Sequence, residues 1–211
     1  MQQTVNQNWR EASHFANRLI QDSRWSKTIY SYQKGALLLM IKNPTAEDKR
    51  EIESLMRNAP QWKQRIAGKS LPMEKFAVKK TERFFAQKKT LLLPALELLF
   101  LWNLFKVLGK KWALVESVYK LVEEALVELN RQPATEFDAD NKGLALLLKA
   151  ACLRQMGTPL QAEECLKSVL ALEKSIKEDN YLIPYSVVEM ALLQKDQGYK
   201  DKAIQLLEDA K

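Results

Sequence analysis

Two stretches of this chain repeat one another at an offset of 41 residues. GLALLLKAACLRQMGTPLQAEECLKSVL begins at Gly143, and PYSVVEMALLQKDQGYKDKAIQLLEDAK begins at Pro184. The alignment sets Ala150 against Ala191, Gly157 against Gly198 and Ala162 against Ala203, and it pairs Leu146 with Val187 and Leu166 with Leu207. This order of residues specifies a helical hairpin. A small side chain in the first helix and another at the start of the second let the two axes approach closely. The glycine just past the first helix supplies a left-handed C-cap. Thr158-Pro159-Leu160-Gln161 reads as a full capping box with proline at the first helical position. A hairpin of this size cannot bury its apolar face alone, so such units stack on their neighbours.

The rest of the chain follows the same grammar. Apolar residues recur at three- and four-residue steps over 8–21, through Trp9, Ala12, Phe15, Ala16 and Leu19. They recur again from about 24 to 41, through Trp25, Ile29, Tyr32, Ala36 and Leu39. Thr45 and Asp48 have capping-box spacing and open a helix to about Asn58. Residues 61–66 are expected to form a helical turn and 67–71 a loop, with a helix over 72–87. Pro94 is expected to open one long apolar helix closed by Gly109. An amphipathic helix over 112–130 uses Trp112, Val115, Val118, Leu121, Val122, Ala125 and Leu129, and 131–141 form a polar connector. Helices follow at 142–156, 159–175, 184–197 and 200–210. With only 6 Gly and 7 Pro, the chain lacks the turn signals of a β-sandwich or barrel. The expected fold is all-α with at least four stacked hairpins and no β-sheet. It divides into a hairpin region (1–60), a basic connector and helix (61–90), a long hairpin (91–134) and two repeats (142–211), all in one continuous solenoid. The apolar run 91–108 is interrupted by Pro94, Glu97, Asn103 and Lys106, so a core helix is expected there and not a membrane span.

The net charge of +7 is segregated. Residues 61–90 hold nine basic and two acidic side chains, nine minus two being seven, and the remaining 24 basic and 24 acidic residues cancel. Lys75, Lys79 and Arg83 fall at four-residue steps beside Phe76, Lys80 and Phe84. A cationic edge of Lys69, Lys75, Lys79, Lys80 and Arg83 is therefore a candidate dock for an acidic protein segment. An anionic lipid surface is the alternative ligand, and a merely solvated helix face would look the same. No nucleic-acid motif accompanies the charge. Catalytic chemistry finds no support: His14 is the only histidine, and phosphate loops, nucleophile elbows and zinc-protease motifs are missing. Cys152 and Cys165 match no zinc spacing and read as buried, reduced thiols of a cytoplasmic protein. Neither cofactor nor metal is expected.

The repeat resembles the tetratricopeptide motif, with Lys149 and Gln194 departing from its usual apolar positions. Longer segments are closer still to one family. DSRWSKTIYSYQKGA (22–36), QWKQRIAGKSLPMEKFAVKKTERFF (61–85), LPALELLFLWN (93–103) and KEDNYLIPYSVVEMALL (177–193) are similar to the tetratricopeptide repeat protein 39 family. The resemblance runs from about Trp9 to Lys211. It reaches only the C-terminal part of the family's longer proteins, so a fragment, short isoform or truncated gene model is expected. It implies a tetratricopeptide-type helical-hairpin solenoid acting as a non-enzymatic intracellular scaffold or adaptor. Links of some members to sterol and lipid homeostasis suggest the alternative of a regulator on lipid droplets or anionic membranes, through the basic helix 72–87.

Some tetratricopeptide proteins clamp a partner's terminal carboxylate with basic groove residues. Here the groove positions carry Leu144, Leu147, Leu148, Ala151, Val188, Glu189 and Leu192, which suit a hydrophobic helix instead, from another part of the same protein or from a partner. Ala150, Gly157, Ala162, Ala191, Gly198 and Ala203 are the expected packing residues of the repeats. Ile204 and Leu207 of the last helix are expected to stay exposed and favour self-association.

Overall fold

The computed structural model describes residues 2–23, 25–66 and 69–209, without the side chains of 65, 66, 69, 70 and 209. Its elements, in chain order, are α1 (Gln2–Val5), α2 (Trp9–Asp22), α3 (Lys27–Leu39), α4 (Ala46–Asn58), β1 (Arg65–Ile66), β2 (Lys69–Ser70), α5 (Pro72–Ala86), α6 (Pro94–Leu101), α7 (Phe105–Leu108), α8 (Trp112–Arg131), α9 (Asp138–Gln155), α10 (Pro159–Leu170), α11 (Leu182–Asp196) and α12 (Lys200–Asp209). The chain forms two compact units, residues 1–98 and 99–211.

In the first unit α3 is the central helix, packed by α2, α4 and α5. It is buried nearly all round, through Ile29, Tyr32, Ala36, Leu37 and Leu38 and also through the polar Thr28, Ser31, Gln33 and Lys34. Small residues set the close contact with α2, where Ala12 and Ala16 meet Leu37, joined by Ala95, Trp9 and Met40. On the other side α4 comes so near that a Cβ on Gly35 would stand 2.6 Å from the Met56 methyl. Polar ties fix the same register. Arg10 of α2 makes a two-pronged pair with Asp48 of α4, both bonds 2.9 Å. Lys34, itself buried, donates to Asn17 and Glu51. The capping box at the start of α4 is complete, with Thr45 accepting from the Asp48 N–H and Asp48 accepting from Thr45.

The segment before α5 departs from expectation. Residues 59–62 form the helical turn, and β1 and β2 pair antiparallel, with Arg65 opposite Ser70 and Ile66 opposite Lys69. The loop expected at 67–71 is thus partly a strand, and positions 67 and 68 lie outside the described residues. Buried Glu74 anchors this segment to the helices: it accepts the Gln64 N–H at 2.9 Å and the Ser26 hydroxyl.

In the second unit successive helices pack in sequence, α8 on α9, α9 on α10, α10 on α11 and α11 on α12. The aligned glycines close α9 and α11 in the same way. Gly157 and Gly198 hold φ of +73° and +88°. The N–H groups of Gly157 and Thr158 reach the carbonyls of Arg154 and Leu153, and those of Gly198 and Tyr199 reach Lys195 and Gln194. These are two identical Schellman closures. Ala150, Ala162, Ala191 and Ala203 are all buried. The Thr158 capping box does not form: the Thr158 hydroxyl donates instead to the Leu153 carbonyl at 3.0 Å, turned back toward the helix it follows.

Two further boundaries differ. The long helix expected from Pro94 to Gly109 breaks after Leu101, because Asn103 takes a left-handed φ of 57°. The Asn103 and Leu104 N–H groups close α6 on Phe100 and Leu99. Asparagine is among the few residues that tolerate that conformation. And α9 starts at Asp138, inside the expected connector, after Thr135 donates to Asp138 through both its N–H and its hydroxyl.

Candidate interaction surfaces

The buried face of α5 repeats at helical spacing through Glu74, Ala77, Lys80, Thr81 and Phe84. Lys80 and Arg83 therefore do not belong to an exposed cationic edge; both are only 3% exposed. Lys80 pairs with Glu97 at 2.6 Å, the side chains being 4% and 2% exposed, and its ammonium lies 5.5 Å over the Phe76 ring. Phe76 meets Tyr32 of α3 edge-on at 5.9 Å. Arg83 donates to Gln87 at 3.1 Å. The physical reason is angular. A four-residue step overshoots one helical turn by about 40°, so a stripe of 75, 79 and 83 drifts by roughly 80° and carries its last member out of the solvent face. Lys75 and Lys79 remain exposed, followed along that face by Glu82. The Lys69 side chain lies outside the described ones.

The expected apolar groove is half filled. Leu144, Leu147, Leu148 and Ala151 are buried, because α9 is packed by α7, α8, α10 and α11 together. That enclosure also explains Lys149. It reaches out to Glu123 of α8 at 2.8 Å, with Tyr119 5.9 Å below its ammonium. Partial burial disfavours the Lys149 charge, but the Glu123 contact outweighs it and leaves the pKa raised.

The other half of the groove stays accessible. Val188 and Leu192 are half-buried on α11, and Tyr181 and Tyr185 continue the stripe toward the start of that helix. The two tyrosines were missed, although their spacing from Val188 and Leu192 is legible as steps of four, three and four. Tyr185 meets Tyr181 edge-on at 5.8 Å and rests against Phe100 at the same distance. Glu189 belongs to the inner side, where Arg154 holds it at 2.9 Å while reaching Asp196 at 3.0 Å.

Other chemistry-bearing groups take structural positions. His14 is exposed on α2. Burial pushes the Cys152 thiol far up and Cys165 up as well, so neither supplies a ready thiolate. Among the described residues no group of His, Cys, Asp and Glu could hold a metal ion, and no helix is long and apolar enough to cross a membrane. Ile204 and Leu207 are 57% and 44% exposed on α12.

Comparison with known proteins agrees with this helical-repeat layout. No solved structure matches the chain. It is 31% identical over 206 residues to the tetratricopeptide repeat protein ttc-39B of Caenorhabditis elegans, covering 96% of this chain but 34% of that protein. The chain thus spans about a third of the length of that curated relative. The family model for Iml2/Tetratricopeptide repeat protein 39 matches residues 1–156, all of the first unit and the second unit as far as the end of α9. This chain belongs to the Iml2/tetratricopeptide repeat protein 39 family.

Proposed function

We propose that the chain is a non-enzymatic protein-binding scaffold, its hairpins stacked as a solenoid, and that it receives an amphipathic helix of a partner on α11. The observation carrying this reading is the stripe of Tyr181, Tyr185, Val188 and Leu192, left partly open on a helix whose opposite side is packed. Its 4-3-4 spacing suits a partner helix with apolar anchors at the same period. Two aromatic side chains in the stripe supply large contact area at little entropic cost. Support against catalysis comes from the use of polar groups: the buried carboxylates described above serve as caps, ion pairs and loop anchors. Two buried, unpaired cysteines suit a reducing, cytoplasmic compartment.

The test is affinity capture from cell extract, followed by titration calorimetry with each purified partner. Val188→Asp/Leu192→Asp is expected to weaken binding at least tenfold, while Lys75→Glu/Lys79→Glu leaves it unchanged. If the α11 variant, with an unaltered melt, binds the same partners equally well, the stripe is not the docking surface. Loss only in the Lys75/Lys79 variant would reassign docking to the basic edge and an acidic segment.

A further inference from the structure

The corner between α7 and α8 presents a surface that folding does not require. Residues 103–113 read NLFKVLGKKWA, with three lysines and no acid. Phe105 and Leu108 are buried and pin the corner inward. The Phe105 ring stands edge-on to Phe100 at 5.6 Å, and Phe100 meets Tyr185, so the corner rests on a packed aromatic base. The N–H groups of Lys110 and Lys111 close the turn on the carbonyls of Val107 and Leu108 at 3.2 and 3.1 Å. What faces water is Trp112 at 58% exposure and Val107 at 40%, with Lys106, Lys110 and Lys111 exposed around them. Trp112 was expected on the buried face of its helix, and it is not there.

Among the described residues none of these three lysines has an acidic partner. The nearest acids in sequence are already used, Glu97 by Lys80 and Glu116 by Lys120 at 3.0 Å. The positive end of the α8 dipole adds to the same field. An acidic peptide would neutralise the lysines yet leave the indole in water. A bilayer surface satisfies both kinds of group. Tryptophan prefers the depth of the lipid headgroups, and lysines pair with anionic headgroups while their stems lie along apolar surface. We infer that this corner docks the protein on an anionic lipid bilayer, with Trp112 and Val107 entering at headgroup level and Lys106, Lys110 and Lys111 holding the lipid phosphates and carboxylates. Helix 72–87, with Lys80 and Arg83 buried, offers less free charge for the same task.

The whole chain should be floated with vesicles of phosphatidylcholine alone and of an equimolar phosphatidylcholine–phosphatidylserine mixture. Flotation is expected only with the anionic vesicles, falling as salt is added. One lysine near such a surface is worth about fivefold in partitioning, so Lys110→Gln/Lys111→Gln should lose roughly 25-fold. Trp112→Ala should lose severalfold and Trp112→Phe less, while Lys75→Gln/Lys79→Gln floats like the native chain. Thermal melts should be unchanged throughout, since every substituted side chain is exposed. Absence of flotation on anionic vesicles, or equal flotation by the Lys110/Lys111 variant, would overturn the inference. Binding to polyglutamate without flotation would also overturn it and assign the corner to an acidic protein.

Discussion

Gly157→Ala isolates the conformational demand of the repeat closure from every other effect. A Cβ built at Gly157 meets nothing within 4 Å, and the same holds at Gly198. Any loss of stability must therefore come from the backbone. A left-handed residue other than glycine costs roughly 1–2 kcal/mol. Alanine also restricts the unfolded chain, which offsets about 0.4–1 kcal/mol. The net loss should be near ~1 kcal/mol, or about 3 °C in Tm for a domain of this size. The two sites should not be equal. Gln7, Lys88 and Asn103 show that other residues can close these helices at φ of 59°, 53° and 57°. Gly157 at +73° lies close to that range and Gly198 at +88° farther out. Gly198→Ala should thus cost more than Gly157→Ala, and Gly157→Asn less than either, since asparagine tolerates the left-handed region. Urea titration followed by far-ultraviolet circular dichroism measures the order. Hydrogen exchange of the Thr158 amide, bonded to the Leu153 carbonyl at 3.0 Å, reports the closure itself. A Gly157→Ala protein as stable as the native chain, or the reverse order of the two alanines, would refute the reasoning.

Three other outcomes follow from the packing. Lys80→Met should destabilise the first unit by about 3–5 kcal/mol in denaturant titrations, because it removes one side of the buried Lys80–Glu97 ion pair. Ala162→Leu should overpack the α9–α10 contact and cost roughly 1–3 kcal/mol, checked by the same titration. Asp48 is held below its ordinary value of 3.8 first by Arg10 and then by the Thr45 N–H. Because its folded pKa is the lower one, its stabilisation is present above that ordinary value and is lost as pH falls through the acid range. Melts below pH 4 should show a shallower acid loss in Asp48→Asn than in the native chain.

Several local features of the fold that chain neighbours decide were legible, though not the failed Thr158 box or the break at Asn103. The Gly157 and Gly198 closures and the Thr45–Asp48 box depend on four to six consecutive residues, and spacing alone reveals them. The Thr135–Asp138 turn has the same T-x-x-D spacing and could have moved the start of α9 forward. Burial on the candidate surfaces depends instead on partners far along the chain. Nothing near Lys80 in sequence announces that Glu97 will meet it inside the protein. Leu144, Leu147 and Leu148 read equally well as groove or core, and only the arrival of α7 and α8 decides between them. Trp112 is the converse: a large apolar residue at a buried-face position, left in water because it begins its helix at a corner.

The second unit also carries a pair of polar staples set at opposite ends of α9. Near its beginning, buried Asp140 accepts the backbone N–H groups of Lys177, Glu178 and Asp179 at 2.9, 2.9 and 2.8 Å. Near its end, Arg154 grips Glu189 and Asp196. In a linear array of repeats, cooperativity is set by the coupling between neighbours relative to the stability of each one alone. Here the link between α10 and α11 is itself fixed to α9, and α11 is fixed to α9 again farther along. α11 can therefore not come away from α9 by itself. Separating them means releasing three amides and a guanidinium together, so α9 to α11 should behave as one cooperative block that melts at a single midpoint.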